Sequence, residues 1–308
     1  MSRQKSLNLT QIQTVSIRKR NCLLNVETLA DMPDPAKSLV DFYRSLPRLG
    51  AAAELINAAD ALAQTALAGK DTLWLIDNHL IDAGLSPLIV RLIHRGLIKA
   101  IAMTGTAAVR DYELAFYGVT NEDVKGGLED GLLGMGRETA EGMNEIINEG
   151  VKRGFSLGEC LGRGILDRQP KYYSRSILAA CAARLVTHTI HTSVGSDGFH
   201  CHPSADGAMI GKGSLKDLQI LAGRIDCLNE GGALVATHRS SALQEVFTHA
   251  YALAKNLGAT MNQFSLLRFG EDCPSFDLIP GISAEFDLSG PIELIVPLFT
   301  GVLFSLVE

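Results

Sequence analysis

Residues 196–207 hold the densest cluster of side chains that could do chemistry. Two carboxylates, two imidazoles and one thiol fall within this stretch, at Asp197, His200, Cys201, His202 and Asp206. A His-x-His pair beside an aspartate could ligate zinc or another divalent ion, because such ions prefer imidazole and carboxylate ligands. The same groups could instead bind an organic ligand or hydrogen-bond loop carbonyl groups. We rank both of these alternatives above a metal site and predict that Asp197, His200 and His202 shape a substrate pocket.

Two polar turns form the next candidate, because each directly follows a short apolar run. They comprise Asp77, Asn78 and His79 after residues 72–76, and Thr104, Gly105 and Thr106 after residues 98–103. Hydroxyl, amide and free backbone N–H groups at such turns suit the ribose and phosphates of a nucleotide. Ordinary turn formation and helix capping are the alternative. The two turns are therefore predicted to line a nucleotide site.

A third candidate is the pair His238 and Arg239, which comes directly after the apolar run 232–237. The pair places a titratable base beside a permanent cation. Surface ion pairing explains the two residues equally well. If the run is a strand, His238 reaches the same edge of the sheet as the polar turns, and we predict that it is a candidate general base.

The hydrophobic pattern indicates a scaffold that would bring these candidates together. Short apolar runs predict buried strands, with helical segments between them, at 72–76, 98–103, 187–192, 232–237 and 260–267. Strands that alternate with helices need crossover connections and form a mainly parallel sheet, whose ligands sit beyond the carboxyl ends of the strands. We predict a doubly wound, Rossmann-like α/β domain at 71–308, with an N-terminal arm and helices at 1–70 packed on it.

Local signals predict where several helices begin. Thr120-Asn-Glu-Asp123 and Ser156-Leu-Gly-Glu159 have the pattern of capping boxes. Further helices are predicted at 214–225 and from about Pro291 onward. The sequence contains neither GxGxxG after a strand nor GxxxxGK[ST], so the two familiar phosphate-binding fingerprints are absent.

Composition narrows the classes of function. The 308 residues are 46% hydrophobic, which is enough to bury a large core, and the net charge is -6. A nucleic-acid or anionic-membrane binder would need a cationic excess, so we expect neither partner and predict a small-molecule substrate. No apolar run reaches eighteen residues, and no secretory signal follows the basic first residues, so we predict a cytoplasmic protein. The six cysteines form no CxxC pair, and we predict buried free thiols.

Several segments together resemble deoxyhypusine synthase. They are a polar turn with Leu80-Ile81-Asp-Ala-Gly84, the turn Thr104-Gly-Thr-Ala-Ala108 before Asp111, the turn Pro203-Ser-Ala-Asp-Gly207, and the glycine-rich run Gly231-Gly-Ala-Leu-Val235. In the synthases, similar motifs occur in the same order. The resemblance extends over roughly residues 72–267 and rests on collinearity, since each motif is short.

The resemblance implies an NAD-binding homotetramer. Members of that family use NAD to oxidise spermidine and pass its aminobutyl group, through an imine on a lysine, to a lysine of an initiation factor. By position, Asn78, His79, Thr104 and Gly105 match residues that line the NAD site. Asp111 matches the acidic catalytic residue, and Asp206 matches the aspartate of the Asp-Gly turn, which we assign to the cofactor site.

The sequence also departs from the family at residues that matter for the reaction. Ile210-Gly211 stands where the synthases have Gly-Asp, and Ala236-Thr237-His238 replaces Lys-His-His. The Ser-Trp-Gly-Lys segment is missing, and residues 270–290 contain no lysine, so the imine-forming nucleophile has no counterpart.

We therefore predict a divergent branch of the family that binds NAD and acts on a small amine-bearing metabolite without making deoxyhypusine, with Asp111 or His238 as the base. The alternatives are a non-catalytic nucleotide-binding or structural homo-oligomer, and a metal-dependent hydrolase built on Asp197, His200 and His202.

Overall fold

The computed structural model describes residues 7–307 and contains one mainly buried sheet. In the described part of the chain this sheet has six strands: β1 (Thr72–Ile76), β2 (Ala100–Thr104), β3 (Thr187–His191), β4 (Gly232–Ala236), β5 (Phe264–Phe269) and β6 (Ile282–Leu288). Their spatial order is β3-β2-β1-β4-β5-β6, and every neighbouring pair is parallel. The predicted doubly wound, Rossmann-like α/β fold is confirmed.

Helices cover both faces of the sheet. In chain order they are α1 (Leu39–Ser45), α2 (Gly50–Leu67), α3 (Asn78–Asp82), α4 (Ser86–His94), α5 (Gly105–Tyr117), α6 (Val124–Glu129), α7 (Arg137–Lys152), α8 (Leu157–Arg168), α9 (Ile177–Arg184), α10 (Gly207–Ile225), α11 (Ser241–Asn256) and α12 (Ile292–Val307). None of these described helices combines the length and the apolar character needed to cross a membrane.

The side chains of β1 show why the central strands are apolar throughout. Leu73 and Leu75 pack into a core with α10 and α11, whereas Trp74 and Ile76 face a larger core built with α2, α4, α5, α7, α8, α9 and α12. Successive side chains of a strand point to opposite faces, so a strand covered on both faces reads as a continuous apolar run. The prediction of β1 from such a run is confirmed to the residue.

The N-terminal region joins the main body through helix packing. α2 packs against α12 and lies along β6, and α1 contacts α12, where Tyr43 takes the space that a side chain at position 301 would need. Residues 7–36 form three short 3-10 turns without a buried residue. The first six residues of the predicted arm and Glu308 lie outside the described residues. The predicted boundary between residues 70 and 71 stays a prediction.

Several elements differ from the predictions, each for a local reason. β6 was not predicted, because its polar and apolar residues alternate, as is typical of a sheet edge with one exposed face. α10 begins at Gly207, seven residues earlier than predicted, with Asp206 as its N-cap. The Ser156 capping box is confirmed, but the one at Thr120 is wrong, because Thr120 donates its hydroxyl to Glu113 and Asp123 caps α6.

The prediction that the free cysteines are buried is wrong for half of them. All six are free, and Cys160 and Cys181 are buried, but the side chains of Cys22, Cys201 and Cys227 are exposed. Homo-oligomerisation and the absence of nucleic-acid and membrane partners stay predictions.

Candidate functional site

The strand order places a topological switch point between the carboxyl ends of β1 and β4. From β1 the chain winds toward β2 and β3, and from β4 it winds toward β5 and β6, so the connections diverge at this point. In open α/β sheets, ligands bind outside the carboxyl ends of the strands at such a topological switch point. The turn after β1 carries Asp77 and His79, and the turn after β4 carries His238 and Arg239.

Asp77 links the turn after β1 to the turn after β4. Its side chain is 4% exposed. Oδ1 accepts a hydrogen bond from the backbone N–H of His79 at 3.0 Å, and Oδ2 accepts one from the backbone N–H of Arg239 at 2.7 Å. Burial raises the pKa of this carboxyl, while the two backbone donors act in the opposite direction. The carboxylate thus fixes the spacing of the β1 and β4 turns.

Two imidazole nitrogens in these turns lack a hydrogen-bond partner. His238 is 0% exposed, and its Nδ1 lies 3.1 Å from the carbonyl oxygen of Ser240. Burial lowers the pKa of His238 to about 4, so the ring is neutral at pH 7, Nδ1–H donates to Ser240, and Nε2 carries a lone pair. Nε2 of His238 and Nε2 of His79 are both buried without a hydrogen-bond partner. Buried polar atoms are normally satisfied, so these two are candidates for contact with a ligand.

The N-terminus of α5, after β2, holds a carboxylate from a distant loop. Thr104 caps the helix by accepting the backbone N–H of Ala107 at 3.1 Å. Thr106 donates its hydroxyl to Oδ1 of Asp197 at 2.8 Å, and Oδ2 accepts the backbone N–H of Ser193 at 3.1 Å. A Cβ atom added at Gly105 would overlap this carboxylate, so glycine is what allows the close approach. The helix N-terminus therefore works as an anion site, with Asp197 in it.

A cavity of about 440 Å³ opens next to this helix N-terminus. It lies between α5, α7, the connection that contains α6, and residues 195–201, and its polar lining includes Thr106, Arg110, Glu113, Glu122 and Thr139. The guanidinium of Arg110 lies between two carboxylates, with Nε 3.4 Å from Asp82 and Nη1 3.9 Å from Glu113. The cavity is thus polar and contains more carboxylates than cations among its lining side chains.

Asp111, predicted as a catalytic residue, lies in a different environment. It is 1% exposed and accepts three hydrogen bonds, from the Ser176 hydroxyl at 2.6 Å and from the backbone N–H groups of Ile177 at 2.7 Å and Leu178 at 3.1 Å. These groups form the N-terminus of α9, so Asp111 acts as a cap contributed by another helix. Burial raises its pKa to about 6. Asp111 does not line the cavity, and a catalytic role for it stays a prediction.

The remaining predicted residues divide into two groups. His200 lies close to Asp197 and contacts the ring of Phe199 in a tilted arrangement, with ring centroids 4.1 Å apart. Both of its ring nitrogens are buried without a partner. His202 and Asp206 instead build the loop. Nδ1 of His202 accepts the backbone N–H of Ser204 at 3.2 Å, and Asp206 caps α10. Among residues 7–307, no group of three or more His, Cys, Asp or Glu side chains could hold a metal ion.

The structure therefore brings the predicted residues together at two places. Asp77 joins the turn that carries His79 to the turn that carries His238 and Arg239, and Thr106 contacts Asp197 at the start of α5. Asn78 follows Asp77 and donates its amide to Asp82 at 2.9 Å. Arg110 and Glu113 were not among the predicted site residues, and both line the cavity. Arg110 and Glu113 lie three residues apart, which places both on one face of a helix. This spacing is the sequence signal that could have identified them.

Comparison with known proteins finds likeness in the fold. No family model matches the sequence, and no curated protein matches it either. Among solved structures, apo ArgZ, an arginine dihydrolase from the ornithine-ammonia cycle in cyanobacteria, matches with a TM-score of 0.52 and 14% identity, over 82% of this chain and 31% of ArgZ. AgrE in its ternary complex with ornithine and NAD+ matches with a TM-score of 0.50 and 17% identity, over 82% of this chain and 33% of AgrE.

The family that the sequence resembles also appears among the solved structures. A putative deoxyhypusine synthase from Entamoeba histolytica matches over 91% of this chain and 97% of its own, with 11% identity and a TM-score of 0.48. By contrast, the chain spans only about one third of the length of ArgZ and AgrE. The likeness to ArgZ and AgrE shows a shared α/β fold.

Proposed function

We propose that this chain binds NAD across the switch point and acts as an oxidoreductase on a small amine-bearing metabolite. The observation that carries the proposal is the strand order β3-β2-β1-β4-β5-β6 with buried Asp77 joining the ends of β1 and β4. Dinucleotides bind across the crevice at the switch point in sheets of this order. The fold shared with AgrE, whose structure contains ornithine and NAD+, supports the same class of ligand.

The residues at the carboxyl edge fit a dinucleotide in a specific way. α3, after β1, has only five residues and lacks the usual glycine-rich turn, so we place the phosphate contacts at the start of α5. Gly105 and Thr106 there already accommodate a carboxylate, and Asn78, His79 and Thr104 complete the proposed contacts. The unpartnered Nε2 atoms of His79 and His238 would gain partners. When bound, NAD would supply a hydride acceptor.

The cavity next to the start of α5 suits an amine. Glu113 and Glu122 line it, and carboxylates attract an ammonium group through charge. His238 is neutral at pH 7 because burial lowers its pKa to about 4, so its Nε2 would accept a hydrogen bond from a donor group of a ligand. We keep His238 as the proposed base at the switch point, and we assign Asp197 and His200 to the loop whose residues Ser196, Gly198 and Phe199 line the cavity.

Calorimetric titration with NAD+ and NADH tests the proposal. We expect saturable binding and a higher melting temperature, since a ligand at a hundredfold excess over Kd stabilises the folded state by about 2.7 kcal/mol. His79→Ala should weaken binding. Gly223→Ala is the matched control, because an added Cβ at Gly223 on α10 meets nothing within 4 Å. Failure to bind either nucleotide at millimolar concentration would refute the cofactor assignment.

A further inference from the structure

Asp197 occupies the position where a phosphate would bind. It is 3% exposed, and its carboxylate contacts the side chain of Thr106, the Gly105 backbone and the backbone N–H of Ser193. The free N–H groups and positive dipole end of a helix favour any anion at this point, and a phosphate oxygen has the same requirements as a carboxylate oxygen. Two anions cannot share the site, so Asp197 and a phosphate exclude each other.

The loop that carries Asp197 is anchored on one side only. After Asp197, the buried side chain of Phe199 and the amide of Asn144 hold the chain, since Asn144 donates to the Phe199 carbonyl oxygen at 3.0 Å. A second amide, that of Asn148, donates to the Ser204 carbonyl oxygen at 3.2 Å. These contacts fix residues 199–206 against α7.

Residues 193–196, before Asp197, have much weaker attachments. They are exposed, and Val194 is 80% exposed although it is apolar. Their hydrogen bonds are local, from Ser196 N–H to the Ser193 carbonyl oxygen at 2.9 Å and from Ser193 N–H to Asp197 itself. Gly195 has φ +89°, a conformation that glycine adopts without strain. This half of the loop can therefore move while 199–206 stay in place.

We propose that Asp197 is an internal competitor for the phosphate position, and that residues 193–197 swing away from the start of α5 when a phosphate-bearing ligand binds there. Gly198, in the 3-10 turn Gly198–Cys201 that packs against Gly134, stays in place. The nucleotide in this inference is that of the proposed function, whereas the competition itself concerns any phosphate. The apparent affinity of such a ligand is reduced by the fraction of molecules in which Asp197 is in place.

Titration calorimetry on four proteins tests the competition, with inorganic phosphate and NAD+ as the two probes. The proteins are the unchanged chain, Asp197→Ala, the isosteric Asp197→Asn, and Asp226→Ala. The last is the control for net charge, since Asp226 is exposed at the end of α10. We expect Asp197→Ala to bind both probes about tenfold or more tightly, if Asp197 is in place in at least nine molecules of ten. Asp197→Asn should show a smaller gain, and Asp226→Ala should match the unchanged chain.

Hydrogen exchange gives a second readout that does not depend on a substitution. On adding the probe, amides of residues 193–197 should exchange faster, while the first amides of α5 become protected. Circular dichroism confirms that each variant is folded, and Asp197→Asn replaces Asp197→Ala if the latter does not fold.

The outcomes separate this inference from the proposed function. If NAD+ binds the unchanged chain and both Asp197 variants equally or more weakly, the competition is refuted and the cofactor assignment stands. If phosphate binds the variants more tightly but NAD+ binds none of the proteins, the competition stands and the cofactor assignment is refuted. If folded variants bind neither probe, both are wrong.

Discussion

Two regions of the molecule place a buried aspartate on the N-terminus of a helix, and they differ in what carries the aspartate. In the helical layer beside β3, Asp111 caps α9 and Asp217 accepts the backbone N–H of Gly158 at the start of α8. At the carboxyl edge of the sheet, Asp197 lies on α5. Asp111 and Asp217 belong to helices α5 and α10, whereas Asp197 belongs to an irregular loop.

If the proposed competition holds, the same hydrogen-bonding chemistry is structural in the first region and displaceable in the second. Asp111 cannot leave α9 unless α5 moves, and α5 is packed into the main core through Ala107, Ala108 and Tyr112. Residues 193–196 before Asp197 are exposed, and the proposed competition requires that they rotate away from α5. Backbone context, rather than the polar contacts themselves, separates the two cases.

The largest expected effect is that of Asp111→Ala in the rigid region. It removes the acceptor of three buried donors, and unsatisfied buried donors together with a lost cap reduce the free energy of unfolding by about 3–4 kcal/mol. Urea denaturation measures the loss. Asp226→Ala, at an exposed aspartate, should change stability by less than about 0.5 kcal/mol. A loss below about 1 kcal/mol for Asp111→Ala would show that α9 can dispense with this cap.

Acid should reduce the stability of the protein through the carboxyl edge of the sheet, where His238 is buried in its neutral form. Its folded pKa of about 4 lies below the unfolded value of about 6.5, so its contribution to stability is complete above pH 6.5 and is lost as pH falls toward 4. We expect the loss at pH 4 to be about 2–3 kcal/mol relative to pH 7. His238→Asn keeps a donor for the Ser240 carbonyl oxygen and should remove this part of the pH dependence.

A second buried histidine, His191, contributes to the same pH dependence, and its contribution must be separated from that of His238. Burial also lowers its pKa to about 4, so it adds a slope of the same sign that remains in the His238→Asn variant. Denaturation midpoints from pH 4 to pH 8, compared between the two proteins, isolate the part due to His238. Parallel curves would mean that His238 is protonated as easily in the folded protein as in the unfolded chain.

Asp197→Ala should have a smaller effect on stability than Asp111→Ala. Its donors, the Thr106 hydroxyl and the Ser193 N–H, can turn to water when the exposed half of the loop relaxes, so we expect a loss of about 1 kcal/mol or less. Urea denaturation on the same protein preparation as Asp111→Ala gives the comparison directly. Equal losses for the two variants would remove the distinction between the regions.

The last prediction concerns a test for imine formation, in which we expect no change in the mass of the protein. Borohydride added with NAD and spermidine should leave no mass adduct, because the turns after β1, β2, β3 and β4 contain no lysine. Lys212 and Lys255 are exposed, and Nζ of Lys216 lies 3.5 Å from Glu159, so none of the three is the desolvated amine that imine formation requires. An adduct on any of these three would show that the chain can form the imine after all.

The sequence by itself determined the repeating pattern of the fold. β1, β2 and β4 were predictable because strands buried on both faces are continuously apolar, and the α8 capping box was predictable because it lies within four residues. That polar turns follow these strands was also visible, and their common edge followed from the parallel order. β6 was not predicted, because an edge strand alternates polar and apolar residues and this alternation is too short here to be recognised.

Only the tertiary structure decided which polar residues meet. Asp111 contacts α9 from 65 residues away, and Thr106 contacts Asp197 from 91 residues away. Hydrogen bonds over such separations leave no periodic signal, because the spacing depends on the lengths of intervening helices and loops. The physical reason is that burial and hydrogen-bond partners, which set the role of a carboxylate, are properties of the packed chain rather than of its local sequence.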